Sequence, residues 1–230
     1  MRAFKLDELI TPMVWGYIPD VLRPGYFPDG LFEHLGATFN DLSFASAFKG
    51  ANGISTTFME IRRYVANTQS YYNLYQKFHE YLAGKVSLMV LTGWQRYNHD
   101  APLCELLPSG IPTLVSQVFY TRGWFKEPAI NETAVEEFMG CKPAKLSDIP
   151  FRARWPRWRF LECSFPGVEL YRLIERDLRL AMWKLAITKD TTEIRQLRPQ
   201  LEAELSKIYS LRTVNEWLAQ NVDAVIRSAN

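Results

Sequence analysis

The chain predicts an α/β fold, with parallel βα units in its first half and a helical C-terminal part. Three observations point there. Short apolar, strand-like runs alternate with helical patterns through residue 122. Each of those runs ends in aromatic or glycine-rich residues, as strands do when they feed loops at the C-terminal edge of a parallel sheet. From Pro166-Gly167 onward, apolar residues recur only at helical spacing.

Residues 1–9 resemble the end of a helix, and Ile10-Thr11-Pro12-Met13-Val14-Trp15-Gly16-Tyr17 is a strand-like run closed by Pro19. A loop carrying Pro24-Gly25, Pro28 and Gly30 precedes Leu31 to Leu35, a short helix expected to stop at Gly36. Leu42 to Phe48 reads as a second strand. It runs into Lys49-Gly50-Ala51-Asn52-Gly53, a loop able to adopt positive φ and approach a ligand closely. From Thr56 to Leu82 the pattern is helical. Val86 to Leu91 is nearly continuous apolar sequence, the signature of a strand buried on both faces. After a break at Pro108-Ser109-Gly110-Ile111-Pro112, helices are expected over Thr113 to Tyr120 and Glu132 to Met139.

Three helices follow. Leu170, Ile174, Leu178 and Leu185 mark the first; Ile194, Leu197, Leu201, Leu205 and Ile208 mark the second, with Pro199 tolerable only in its first turn. Thr213-Val214-Asn215-Glu216 has the form of a capping box opening the third, which carries Trp217, Leu218, Val222, Val225 and Ile226. The expected division is therefore residues 1–122, a linker over 123–165, and a helical subdomain over 166–230. Three strands cannot close a barrel. Either the sheet is completed by something else or it is an open one.

At 230 residues and 47% hydrophobic, the chain can bury a substantial core. A formal charge of +2 does not imply affinity for nucleic acid or membranes. No window holds a run of apolar residues long enough to span a bilayer, and residues 1–8 carry charges where a secretory signal needs apolar residues. Cys104, Cys141 and Cys163 are odd in number and widely spaced, so no disulfide framework is expected. A reducing compartment, cytoplasmic or nuclear, fits that usage.

Leu91-Thr92-Gly93-Trp94-Gln95-Arg96-Tyr97 places two large rings and two donors at the end of a strand. A pyranose offers an apolar C–H face and a rim of hydroxyls, so aromatic planes beside a few polar groups suit it. The same rings would serve equally to cap a core. The carboxylates Asp7-Glu8 and Glu136-Glu137 lie away from strand ends. Asp20, Asp100 and Glu105 follow strand ends but have surface explanations of equal weight. The three histidines, His34, His79 and His99, lack metal-ligand spacing, and no nucleotide-binding or nucleophile-elbow motif occurs, so no metal or cofactor is expected. Phe151 to Phe160 interleaves Arg152, Arg154, Arg157 and Arg159 with Trp155 and Trp158. That segment is either an anion- or nucleic-acid-binding module or a solvated surface linker, and no second basic cluster supports nucleic acid.

Pro12-Met13-Val14-Trp15-Gly16-Tyr17, Ala45-Ser46-Ala47-Phe48-Lys49-Gly50-Ala51, and Leu91 to Tyr97 with Leu103-Cys104-Glu105-Leu106-Leu107-Pro108 resemble the hexosaminidase D group of glycoside hydrolase family 20. Glu216-Trp217-Leu218 with Asn221-Val222 is similar to that group's C-terminal tail. The resemblance implies a partial (β/α)8 TIM barrel, about the last three βα units, followed by the helical subdomain. It also implies exo-cleavage of terminal β-N-acetylgalactosamine or β-N-acetylglucosamine, in which the substrate's own acetamido carbonyl attacks the anomeric carbon. The Asp-Glu pair that orients the acetamido group and moves the proton in that family has no match here, so no catalytic residue is assigned. Trp15, Tyr17, Trp94 and Tyr97 are expected to line the sugar pocket, with Lys49 and Arg96 as hydroxyl or acetamido contacts. The expected partner is an N-acetylhexosamine-containing glycan, with no nucleic acid, no membrane, and self-association of the open sheet as a further expectation. A non-catalytic sugar-binding or scaffold remnant of the same fold is the alternative.

Overall fold

The computed structural model describes residues 5–54, 56–122, 132–142 and 159–229. It is a mixed α/β structure with a small three-stranded parallel sheet and many helices. Two compact units interleave along the chain: Met1–Phe48, Ile61–Gly93 and Thr113–Asn131 form the first, and Lys49–Glu60, Trp94–Pro112 and Glu132–Asn230 the second.

In chain order the first unit contains α1 (Leu6–Leu9), β1 (Met13–Trp15), α2 (Leu31–Thr38), β2 (Leu42–Lys49, whose last residue falls in the second unit), α3 (Ile61–Lys77), α4 (His79–Leu82) and β3 (Val86–Gly93). The helix α5 (Leu107–Arg122) contributes its residues from Thr113 onward. The strand order is β1-β2-β3, and Met13, Val14 and Trp15 pair in parallel with Ser43, Phe44 and Ala45. Every residue of β2 is buried, as the middle strand of a covered parallel sheet should be. β3 is an edge strand, and the expectation of burial on both faces is corrected there: Val86 is buried, Ser87 and Leu88 are exposed, and Met89 to Gly93 are half-buried.

The core of this unit packs Val14, Phe44, Tyr71, Leu74, Leu82, Val86 and Tyr120 together. A buried polar network is set into it. Ser46 Oγ lies 2.7 Å from both Asn67 Oδ1 and Thr68 Oγ1, and Gln117 Nε2 donates to the carbonyls of Ala47 and Tyr64 at 2.9 Å. Asn67 Nδ2 donates to the carbonyl oxygens of Gly16 at 2.9 Å and Ile18 at 2.6 Å, and the Tyr71 hydroxyl donates to Gly16 O at 3.3 Å. Buried amides without such partners cost about 1–3 kcal/mol each, so this network fixes the path of the chain leaving β1.

Helix boundaries also differ from the sequence expectation: the helical pattern read from Thr56 to Leu82 starts at Ile61 and breaks after Lys77. α2 continues through Gly36, because the residue is glycine for packing: a Cβ there would overlap the Tyr81 carbonyl oxygen of α4. α5 begins at Leu107 and absorbs Pro108 in its first turn, where the missing N–H costs nothing, and Pro112 in its second.

The second unit is predominantly helical: α6 (Glu132–Phe138), a 3₁₀ turn (Phe160–Glu162), α7 (Val168–Arg172), a π-helical turn (Leu173–Leu178), α8 (Arg179–Thr188), α9 (Thr192–Ser206), α10 (Leu211–Leu218), a second π-helical turn (Ala219–Asp223) and α11 (Ala224–Ser228). The expected stripes form its core, with Leu170, Ile174, Leu178, Ile194, Leu201, Leu205, Trp217, Leu218 and Val222 all at most 1% exposed. Ile208 leaves its stripe and is exposed. Pro199 sits inside α9, beyond the first turn expected for it. The capping-box reading is also corrected. The N-cap of α10 is Ser210, whose side chain accepts from the Thr213 N–H at 3.4 Å. Cys141 and Cys163 are joined by a disulfide, which corrects the expectation that no cysteines pair, and Cys104 is free and buried.

Candidate functional site at the Trp94–Tyr97 loop

β3 delivers the chain to Trp94, and from there the backbone is braced by its neighbours in the second unit. Trp94 N donates to Lys49 O at 3.3 Å, and the Lys49 ammonium returns a hydrogen bond to Trp94 O. Gly50, at φ 77°, brings its Cα so close to that carbonyl that any Cβ would overlap the oxygen. A left-handed backbone and a missing side chain are therefore both required at this position. Gly50 N donates to Glu105 Oε2 at 2.9 Å, and Cys104 N donates to Gln95 O at 3.1 Å. Lys49-Gly50, Trp94-Gln95 and Cys104-Glu105 thus cross-brace one another.

The electrostatics follow from burial. Lys49 and Glu105 are both 0% exposed. Loss of solvent pulls the Lys49 ammonium below its ordinary value, and the nearby Cys104 and Glu105 oppose that shift. Burial pushes the Cys104 thiol up, reinforced by Glu105.

Arg96 makes a bidentate pair with Glu216 of α10, with Nη1 to Oε1 at 2.9 Å and Nη2 to Oε2 at 2.8 Å, and Nη1 also donates to the Ala101 carbonyl. The hydrogen bond from Arg96 holds the Glu216 carboxyl below its ordinary range, and the Arg96 guanidinium is raised in return. The flanking rings are presented outward. Trp94 is 47% exposed and Tyr97 is 53% exposed.

The six expected site residues fall into two sets. Lys49, Trp94, Arg96 and Tyr97 belong to the second unit and meet at the loop just described; Trp15 and Tyr17 belong to the first. Trp15 leaves β1 with 63% exposure, and its ring centroid stands 5.7 Å from that of Tyr17 at a tilt of 34°. Tyr17 N donates to the Tyr26 hydroxyl at 3.2 Å, next to the Gly16 carbonyl held by Asn67 and Tyr71.

Two residues that organise the loop were missed as such from sequence. Glu105 has a surface explanation in sequence, yet it is buried against Gly50. Glu216 fits a capping box, yet its carboxylate goes to Arg96. Among the described residues no group of three or more His, Cys, Asp or Glu side chains is placed to hold a metal ion. No described helix is long and apolar enough to cross a membrane. Of the arginine-rich segment, residues 151–158 lie outside the described residues, and Arg159 is ion-paired with Glu132 and with Glu136, the latter at 3.3 Å.

No protein-family model matches the chain. It is 33% identical to bovine (Bos taurus) hexosaminidase D over 160 residues, which are 66% of this chain and 42% of that protein. It is 30% identical to human (Homo sapiens) hexosaminidase D over 180 residues, 76% of this chain and 33% of that protein. The match thus spans less than half the length of either relative. Over the matched region the chain is related to hexosaminidase D.

Proposed function

We propose that the chain is the C-terminal part of a β-N-acetylhexosaminidase of the glycoside hydrolase family 20 type, holding one portion of its sugar pocket. In this reading residues 1–122 supply about the last three βα units of a (β/α)8 barrel, residues 123–165 a linker and residues 166–230 a helical subdomain. The substrate is a glycan ending in β-N-acetylgalactosamine or β-N-acetylglucosamine. Its acetamido carbonyl oxygen attacks the anomeric carbon, and a carboxylic acid protonates the departing glycosidic oxygen. That acid and its acetamido-orienting neighbour are not assigned to any residue of this chain. Trp94 and Tyr97 contribute aromatic faces for the sugar's C–H surface, on the loop where Lys49 and Arg96 are the expected hydroxyl or acetamido contacts; Trp15 and Tyr17 are the expected aromatic contacts of the first unit.

The observation that carries this reading is the outward presentation of Trp94 and Tyr97 on a loop braced by the buried Lys49 and Glu105 and by the part-exposed Arg96–Glu216 pair. Exposed rings on a rigid base are the arrangement expected of a carbohydrate platform. A second reading, a sugar-binding remnant without turnover, is favoured by one specific fact: both cationic side chains expected to meet substrate are engaged inside the protein. Purified chain incubated with a chromogenic β-N-acetylgalactosaminide separates the two. Turnover, by the chain alone or once the remaining barrel segment is supplied, supports the hydrolase; saturable N-acetylgalactosamine binding without turnover under either condition supports the remnant. Absence of both overturns the carbohydrate reading.

A further inference from the structure

We infer that Glu216 is a positioning residue for the sugar-binding loop: from the C-terminal helix α10 it clamps Arg96 and thereby sets where the Tyr97 ring and the outer half of the loop stand. The inference rests on the carbohydrate reading above and adds a role for the C-terminal helices in the site.

From Trp94 to Asp100, Arg96 is the one residue that is not exposed. The Trp94 end is secured by Lys49 and Glu105, but beyond Gln95 the anchor is the Arg96 guanidinium. Three of its five N–H donors are engaged: two in parallel bonds to one carboxylate, and a third to Ala101 O that closes the turn behind Tyr97. Bidentate pairing fixes direction as well as distance, which a lysine or a single bond does not.

Glu216 has a firm footing. It lies beside Trp217 and Leu218, and Val214, Trp217 and Leu218 are all at most 1% exposed in the second unit's core. Helix capping does not need it, because Ser210 serves as N-cap. The partners are 120 positions apart in sequence, and their side chains are 30% and 36% exposed, so the pair is neither local nor freely solvated. The same helical body also holds the loop after β2. Thr57 donates to Asn221 Oδ1 at 2.7 Å, and Met59 N donates to Glu175 Oε1 at 2.8 Å. Both acceptors lie on the two π-helical turns, where the local widening turns a side chain off the regular helical register.

The test measures N-acetylgalactosamine affinity by ligand-observed NMR for wild type, Glu216→Gln, Arg96→Lys and the exchanged pair Arg96→Glu with Glu216→Arg. Glu193→Gln, which breaks an exposed ion pair with Lys184, is the control for generic surface-charge loss. Glu216→Gln and Arg96→Lys are expected to weaken binding about tenfold at a melting temperature close to that of the control, and the exchange to recover part of the loss. A ¹⁹F label on Tyr97 should sharpen in Glu216→Gln as the ring gains mobility, a change that a merely stabilising pair would not produce. Wild-type binding with unchanged affinity and unchanged Tyr97 resonance in Glu216→Gln overturns this inference alone. No binding by wild type overturns the carbohydrate reading and this inference with it, whereas a Glu216→Gln protein that fails to fold assigns the pair to stability and overturns the positioning role.

Discussion

Lys49 carries the geometry of the loop at the scale of single residues. Its ammonium is buried, serves the Trp94 carbonyl, and shares its surroundings with the buried Glu105 carboxylate. Lys49→Met removes the ammonium from that carbonyl and a nearby positive charge from the buried Glu105, so urea denaturation should report a loss of about 3 kcal/mol. Because burial depresses the folded pKa of Lys49, the unfolded chain binds its proton more tightly. Wild-type stability relative to Lys49→Met should therefore rise with pH between that depressed value and the ordinary 10.5, and fall as pH drops through the folded value. A flat difference across alkaline pH would contradict the burial. Gly50→Ala requires both a strained φ and a displaced Trp94 carbonyl, and a loss of at least about 2 kcal/mol is expected in the same assay. Sequence made Lys49 and Gly50 visible as a loop that could approach something closely. It could not say that the thing approached is the chain's own Trp94, since that contact joins residues 45 positions apart.

Among the elements, the helices were the most legible, because a 3.6-residue apolar stripe depends on sequence alone; the boundaries were less so. Ser210 and Thr213 are both good N-cap residues, and a Glu three positions after Thr213 made the later start look complete. Tertiary pairing with Arg96 removed Glu216 from that role. The pair's pH signature follows from the lowered Glu216 pKa: its stabilisation is present above the ordinary 4.5 and lost as pH falls through the depressed folded value. Glu216→Gln should lack that acid-side loss in a denaturation series between pH 3 and 6. Gly36 illustrates the reverse problem. A glycine near a helix end reads as a stop, yet here it admits Tyr81 of α4, and Gly36→Ala should destabilise the protein by about 1–3 kcal/mol through overpacking.

Across the whole molecule, the alternation of strand and helix was readable, and so was the parallel direction of the sheet. The extent of the sheet was not. An apolar run such as Val86 to Leu91 specifies a strand but not how many neighbours will cover it, and β3 stays half-open at its edge. The cysteine count likewise concealed a pairing, because an odd total reads as unpaired while Cys141 and Cys163 meet through the fold. Thiol titration of the denatured protein without reductant should give one thiol per chain, that of Cys104; three would contradict the disulfide. Closing a loop of 22 residues stabilises by about 3 kcal/mol, so reduction should lower the unfolding midpoint measurably.

The proposal that exposed rings on a braced loop bind a sugar is tested most directly by titrating N-acetylgalactosamine against wild type and Trp94→Ala. Saturable binding that weakens about tenfold or more in Trp94→Ala, with the unfolding midpoint nearly unchanged, is the predicted result. Binding that ignores the loss of Trp94, or no binding by the wild type, would contradict it.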